Sequence, residues 1–181
     1  MAKKVFKAEL SVKGLNELKR QLLDYKNTLP DKMDEFVRRL AEKGIPVVEK
    51  NISKASYKYD RKGIQSGSNT EHRTYVKVDS LIGLSQATLI LEGREVLFIE
   101  FGAGVKRNGA VGSSPHPKGP ENGFLIGTYG MGHGSQQVWG YYADNGDLVL
   151  THGTKATMPM YKADMAIMRT VVKTAKEVFG N

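Results

Sequence analysis

Apolar residues recur at helical spacing in the N-terminal third of the chain. From residue 15 to residue 25 they occupy every third or fourth position, which is one face of a helix of about four turns. A stronger stripe over residues 31–54 predicts a second, longer helix. Pro30 is expected to end the first helix or to begin the second, because proline fits a first turn and not an interior. Gly44 and Pro46 are expected to bend or split the second helix.

A third helical stripe predicts a closing helix over residues 159–179, with Pro159 at its start. Four methionines lie in this region, and two explanations stay open. They fill the core, or they form a surface that adapts to a partner. These methionines are Met158, Met160, Met165 and Met168.

Alternating or β-branched apolar runs predict strands in the rest of the chain. The predicted strands are residues 4–12, 71–79, 85–91, 95–104, 138–143 and 148–151. The run at 95–104 is expected to be a buried central strand that stops at Gly102. The short connections between the strands at 71–104 indicate an antiparallel meander, and the Asn145-Gly146 step indicates a hairpin turn.

The order of these elements is that of an α+β fold, in which an antiparallel sheet is packed by two N-terminal helices and one C-terminal helix. With 181 residues and 40% hydrophobic content, the chain is expected to form one domain. A long glycine-rich loop is inserted at residues 103–137, and loops of that length are usually functional or disordered. We expect it to be an arm that becomes ordered on a neighbour, with an apolar patch formed by Phe124, Leu125 and Ile126.

The formal net charge of +8 favours an anionic partner, although the basic residues are spread along the chain. One candidate function is therefore a basic single-domain nucleic-acid-binding protein, in which tyrosines stack on bases and cations meet phosphates. The candidate contacts with DNA or another partner are Arg61, Lys62, Lys106 and Arg107, with Tyr57, Lys58 and Tyr59 beside the first pair.

The chain offers no recognisable catalytic or metal-binding motif. It has no cysteine, and its four histidines are dispersed, without the His-Glu-x-x-His pairing of zinc sites. It also lacks the Gly-x-Ser-x-Gly elbow of serine hydrolases and the Gly-Lys-Ser/Thr of phosphate loops. We therefore expect no catalytic residue, no metal and no cofactor. No apolar run reaches the length of a membrane span, so no membrane partner is expected.

Short motifs in a particular order resemble the tail-completion family of long-tailed bacteriophages, also called neck or head-tail joining proteins. The order begins with Gly14-Leu15-x-x-Leu18 and a long second helix, followed by the predicted meander. It ends with Glu100-Phe101-Gly102 and then Pro159-Met160-x-x-Ala163. Family members often carry Pro-x-x-Thr-Gly-x-Leu after the long helix, which residues 53–69 lack, and the loop at 103–137 is longer than usual.

This resemblance implies a non-enzymatic virion protein that is made in the host cytoplasm. Identical subunits, with six as the expected number, would form a ring that joins the tail to the head connector around the DNA channel. The ring would contact the head-connector and tail-tube or terminator proteins, and DNA would pass through it. The resemblance assigns packing, turn or interface roles to Glu100, Phe101, Gly102, Met158, Pro159, Met160 and Ala163.

Overall fold

The structure, a computed structural model, describes Lys7 and residues 9–81, 83–104, 115–122 and 138–180. It confirms the α+β class. The chain divides into two units, the first made of residues 1–44, 75–90 and 165–181 and the second of residues 45–74 and 91–164. Most of the predicted glycine-rich loop, including Phe124, Leu125 and Ile126, lies outside the described residues.

Helix α1 (Val12–Glu42) begins where a strand was predicted. Ser11 is its N-cap: the backbone is extended there, and the side-chain oxygen accepts a hydrogen bond from the amide of Gly14 at 3.0 Å. Such a cap satisfies one of the amides that a helix start leaves without a partner. The predicted strand over residues 4–12 is therefore wrong at its C-terminal end. Residues 4–6 and 8 of that prediction lie outside the described residues.

The break between the first two helices lies at Gly44, not at Pro30. Helix α1 continues through Pro30, although proline removes one backbone hydrogen bond. Helix α2 (Ile45–Ile52) follows the turn at Lys43 and Gly44, with Pro46 in its first turn. The split expected at Gly44 and Pro46 is confirmed, whereas the expected boundary at Pro30 is wrong.

The first unit contains α1, most of an antiparallel pair of strands and the C-terminal part of the last helix. The strands are β3 (Arg73–Leu81) and β4 (Leu84–Glu92). Here Phe36 packs on Phe179 with ring centroids 5.5 Å apart. The hydroxyl of Ser80 donates to Asp34 at 2.5 Å, and it lowers the pKa of that carboxyl together with Ser85.

The second unit contains α2, a one-turn 3₁₀ helix (Ser53–Ala55) and a sheet of four strands in the order β1-β2-β6-β5. The strands are β1 (Lys58–Tyr59), β2 (Gln65–Ser66), β5 (Trp139–Tyr142) and β6 (Leu148–Thr151). The β5–β6 hairpin turns at Asn145-Gly146, as predicted. The sheet is mixed, because β2 runs parallel to β6, and β3–β4 form a separate pair. The single antiparallel sheet predicted from the sequence is therefore wrong.

A short helix replaces the predicted central strand. Helix α3 (Val96–Phe101) buries Ile99 and Glu100, while Leu97 is exposed. Periodicity cannot distinguish a strand from a helix over so short an apolar run, and the prediction failed for that reason. Gly102 ends the helix with a φ of 83°, a backbone conformation that favours glycine.

Helix α4 (Pro159–Phe179) has the predicted bounds and starts at the predicted proline. A short 3₁₀ helix (Pro120–Asn122) completes the regular elements of the described residues. Among the described residues, no helix combines the length and the apolar character that crossing a membrane requires.

Replacing Pro30 with alanine is expected to stabilise the first unit. Alanine restores a helical hydrogen bond and is about 3 kcal/mol more favourable than proline in a helix interior. The net stabilisation is smaller than this, because alanine also gives the unfolded chain more conformational freedom. We expect Pro30→Ala to raise the midpoint of thermal unfolding, followed by circular dichroism, by roughly 4 to 8 °C. Pro46→Ala, in the first turn of α2, is the matched control and should give no increase. Equal shifts in the two variants would contradict this account of Pro30.

Candidate functional site

The carboxylate of Glu100 lies at the N-terminus of α4. Its Oε2 accepts a hydrogen bond from the amide of Met160 at 2.8 Å, and its Oε1 accepts one from the amide of Tyr161 at 2.9 Å. These amides belong to the first turn of a helix, where no carbonyl of the helix can receive them and where the helix dipole favours a negative charge. Glu100 is 6% exposed. It is therefore a buried capping residue supplied by another helix.

His116 provides a third donor to the same carboxylate. Its Nε2 lies 3.1 Å from Glu100 Oε1, while its Nδ1 accepts the amide of Lys118 at 3.0 Å. Because Nδ1 is an acceptor, the proton lies on Nε2 and is donated to Glu100. The imidazole packs edge-on against Phe101 and Tyr161, with centroids 4.5 and 5.3 Å away. The buried charge is thus fully hydrogen-bonded, which is the condition for keeping it buried.

Gly102 brings the end of α3 against the segment that precedes α4. A Cβ atom at this position would lie 3.1 Å from the backbone nitrogen of Ala156, and its φ is positive as well. Pro159 and Ala163 are fully buried, and Met158 has a φ of 54°. The structure therefore brings together the two motifs on which the family resemblance rests. We call this set of contacts the Glu100 junction.

The N-terminal half of α1 carries an apolar face that is partly exposed. Its apolar residues alternate at spacings of three and four, and we call this face the α1 seam: Leu15, Leu18, Leu22, Tyr25 and Leu29. Leu15 is 55% exposed and Leu22 is 46% exposed. The only buried residue of the whole helix is Ala41, near its C-terminus.

A cavity of about 400 Å³ in the second unit has aromatic walls formed by Tyr57, Phe98, Trp139 and Tyr141. Glu95 also lines it and accepts the amide of Asn69 at 2.9 Å. Burial raises the pKa of the Tyr57 phenol, and the negative charge of Glu95 adds to the increase. The residues of this cavity come from five separate segments. The sequence analysis did not identify it, because no local pattern connects them.

The basic candidates are only partly described. Arg61 and Lys62 are exposed in the turn between β1 and β2, whereas Lys106 and Arg107 lie outside the described residues. Of the histidines, His72 pairs with Glu49 at 2.8 Å and His152 with Asp60 at 3.1 Å. These pairs and the Glu100 junction are distinct sites. In the described ranges no group of three or more histidine, aspartate or glutamate side chains could hold a metal ion.

Comparison with known proteins finds no similar chain: no protein-family model, no curated protein and no solved structure matches.

Removing the charge of Glu100 is expected to destabilise the second unit. Glutamine places an amide group where three donors converge, so at least one donor loses its acceptor, at a cost of about 1–3 kcal/mol. We expect Glu100→Gln to lower the thermal midpoint by roughly 2 to 12 °C. Glu71→Gln, at an exposed position of the same unit, should change it by less than about 2 °C, in keeping with a surface substitution. A Glu100→Gln variant as stable as Glu71→Gln would show that the junction contributes little.

Proposed function

We propose that the protein is a non-enzymatic assembly subunit, a tail-completion or neck protein of a long-tailed bacteriophage. Identical subunits form a ring, with six as the expected number, that joins the tail to the head connector around the DNA channel. The observation that carries the proposal is the α1 seam. A helix that leaves an apolar stripe partly exposed over several turns, with Leu15 and Leu22 about half exposed, has an unfavourable contact with water, which a partner removes.

The spacing of the α1 seam favours a helix as the covering partner. Alternating steps of three and four residues average 3.5, the repeat with which two helices pack side by side along their length. Ordinary core-facing helices bury their stripe within their own domain. In α1, by contrast, no residue before Ala41 is buried. The seam therefore fits contact with another copy of this helix or with a helix of a neighbouring protein.

The flanks of the α1 seam fit a second copy of the chain. Lys19 and Lys26 follow seam residues by four positions and flank the seam on one side, whereas the uncharged Gln21 and Thr28 directly precede seam residues and flank it on the other. Copies arranged head to tail around a ring would place the basic flank of one α1 against the uncharged flank of the next, so that like charges would not face each other. This is a heterologous contact, the type that closes into a ring.

The Glu100 junction supports the same class of function. The residues that carry the family resemblance serve to cap and pack α4, and they use their polar atoms for hydrogen bonds within the fold. Neither the aromatic cavity nor the cavity lined by Lys54, Lys155 and Lys162 has Glu100 or His116 in its wall. These contacts suit a structural protein, whose distinctive residues maintain its shape.

Two adjacent leucines of α1 test the proposal with a matched control. Leu22 lies in the α1 seam and Leu23 does not, yet they are 46% and 47% exposed. We expect Leu22→Glu to abolish self-association, because a charge in the seam would be buried at the contact. Leu23→Glu should assemble like the original chain. The measurement is light scattering across a concentration series.

The original chain is expected to reach a fixed whole multiple of its 20.0 kDa mass as the concentration rises. A chain that stays monomeric at every concentration would contradict self-association. Equal behaviour of the two leucine variants would show that assembly does not use the α1 seam.

A further inference from the structure

A second cavity of the second unit, about 540 Å³ in volume, is lined by cationic side chains. Four lysines and one histidine contribute to its wall: Lys54, Lys58, Lys155, Lys162 and His152. No aspartate or glutamate belongs to the described residues that line it. The remaining lining residues are small or hydroxyl-bearing. We call it the lysine cavity.

Two of the lysines converge on one atom. Lys54 Nζ lies 3.0 Å and Lys162 Nζ 3.4 Å from Oδ1 of Asn51. The Asn51 amide is fixed in this orientation, because its Nδ2 donates to the carbonyl of Val47 at 2.7 Å. Lys162 Nζ also donates to the carbonyl of Thr157 at 2.5 Å. Two ammonium groups are thus held next to each other with only neutral acceptors between them.

The cations of the cavity repel one another. Burial lowers the pKa of the Lys162 ammonium, and the charges of Lys54 and Lys155 lower it further, against an opposing effect of Glu100. The carboxylate of Asp60 pairs with His152 of the cavity wall at 3.1 Å and accepts the amides of Lys62 and Ile64. An anion placed among the lysines would relieve this repulsion, since an opposite charge within a few ångströms favours the ammonium form.

We propose that the lysine cavity binds a phosphate group. Lysine ammoniums are compact point charges with three donors each, and several of them around a small volume match the oxygens of a phosphate. The source is either a small phosphate compound or the backbone of a nucleic acid. Asp60 pairs with His152 of the cavity wall and belongs to the same turn as the exposed Arg61 and Lys62, and these two cations favour an extended ligand. The proposal does not depend on ring formation, since every residue involved belongs to one chain.

Binding of inorganic pyrophosphate, measured by isothermal titration calorimetry at constant salt, tests the proposal. The double variant Lys54→Gln/Lys155→Gln removes two charges from the cavity at exposed positions, so folding should be retained. The control Lys50→Gln/Lys118→Gln removes the same charge from exposed positions of the same unit outside the cavity. We expect at least tenfold weaker binding in the first variant and less than twofold in the second.

A short DNA duplex, titrated by fluorescence anisotropy, distinguishes the two sources. Selective loss of DNA affinity in the cavity variant identifies a nucleic-acid backbone as the ligand. Selective loss for pyrophosphate alone identifies a small phosphate compound. The proposal is overturned if neither probe binds saturably, or if the cavity and control variants lose affinity equally. Equal losses would mean that net charge alone attracts the anion. Thermal midpoints of both variants would show whether a loss reflects unfolding.

Discussion

The second unit depends on the hydrogen bonds that the buried carboxylate of Glu100 accepts. This carboxylate joins three segments that are distant in sequence: α3, which carries it, the turn at His116, and the first turn of α4. A charge can remain buried only if its hydrogen bonds are complete, so these three segments have to keep their positions together. Gly102 makes the arrangement possible, because a side chain there would meet the backbone of Ala156.

The two surfaces proposed to be functional share one property: in each, the fold produces an energetically unfavourable arrangement of side chains. The α1 seam exposes leucines that a helix would normally bury, and the lysine cavity holds like charges close together. Both arrangements cost free energy in the isolated chain, and both become favourable when a partner of the right chemistry binds. For the seam the proposed partner is a second helix, and for the cavity it is a phosphate group. The Glu100 junction differs from both, since its polar atoms are already paired.

Local sequence patterns correctly predicted the elements for which a single structural preference applies. The bounds of α4 follow from Pro159 and a regular stripe, and the β5–β6 hairpin follows from Asn145-Gly146. The predictions failed where two rules competed. Pro30 breaks most helices, but α1 continues through it, and its C-terminal half packs in the first unit through Phe36. The apolar run that became α3 satisfies both the strand and the helix pattern.

The sequence by itself determined the α+β class, the closing helix and the hydrophobic spacing of the α1 seam, because these depend on neighbours within a few residues. Tertiary structure alone decided which polar groups distant in sequence meet. Nothing near Glu100 in sequence indicates that it caps a helix that begins at Pro159. Likewise, Lys54 and Lys162 are separated by more than half of the chain, and only the fold brings them to the same oxygen of Asn51. Such long-range contacts depend on the path of the whole backbone, which no local pattern specifies.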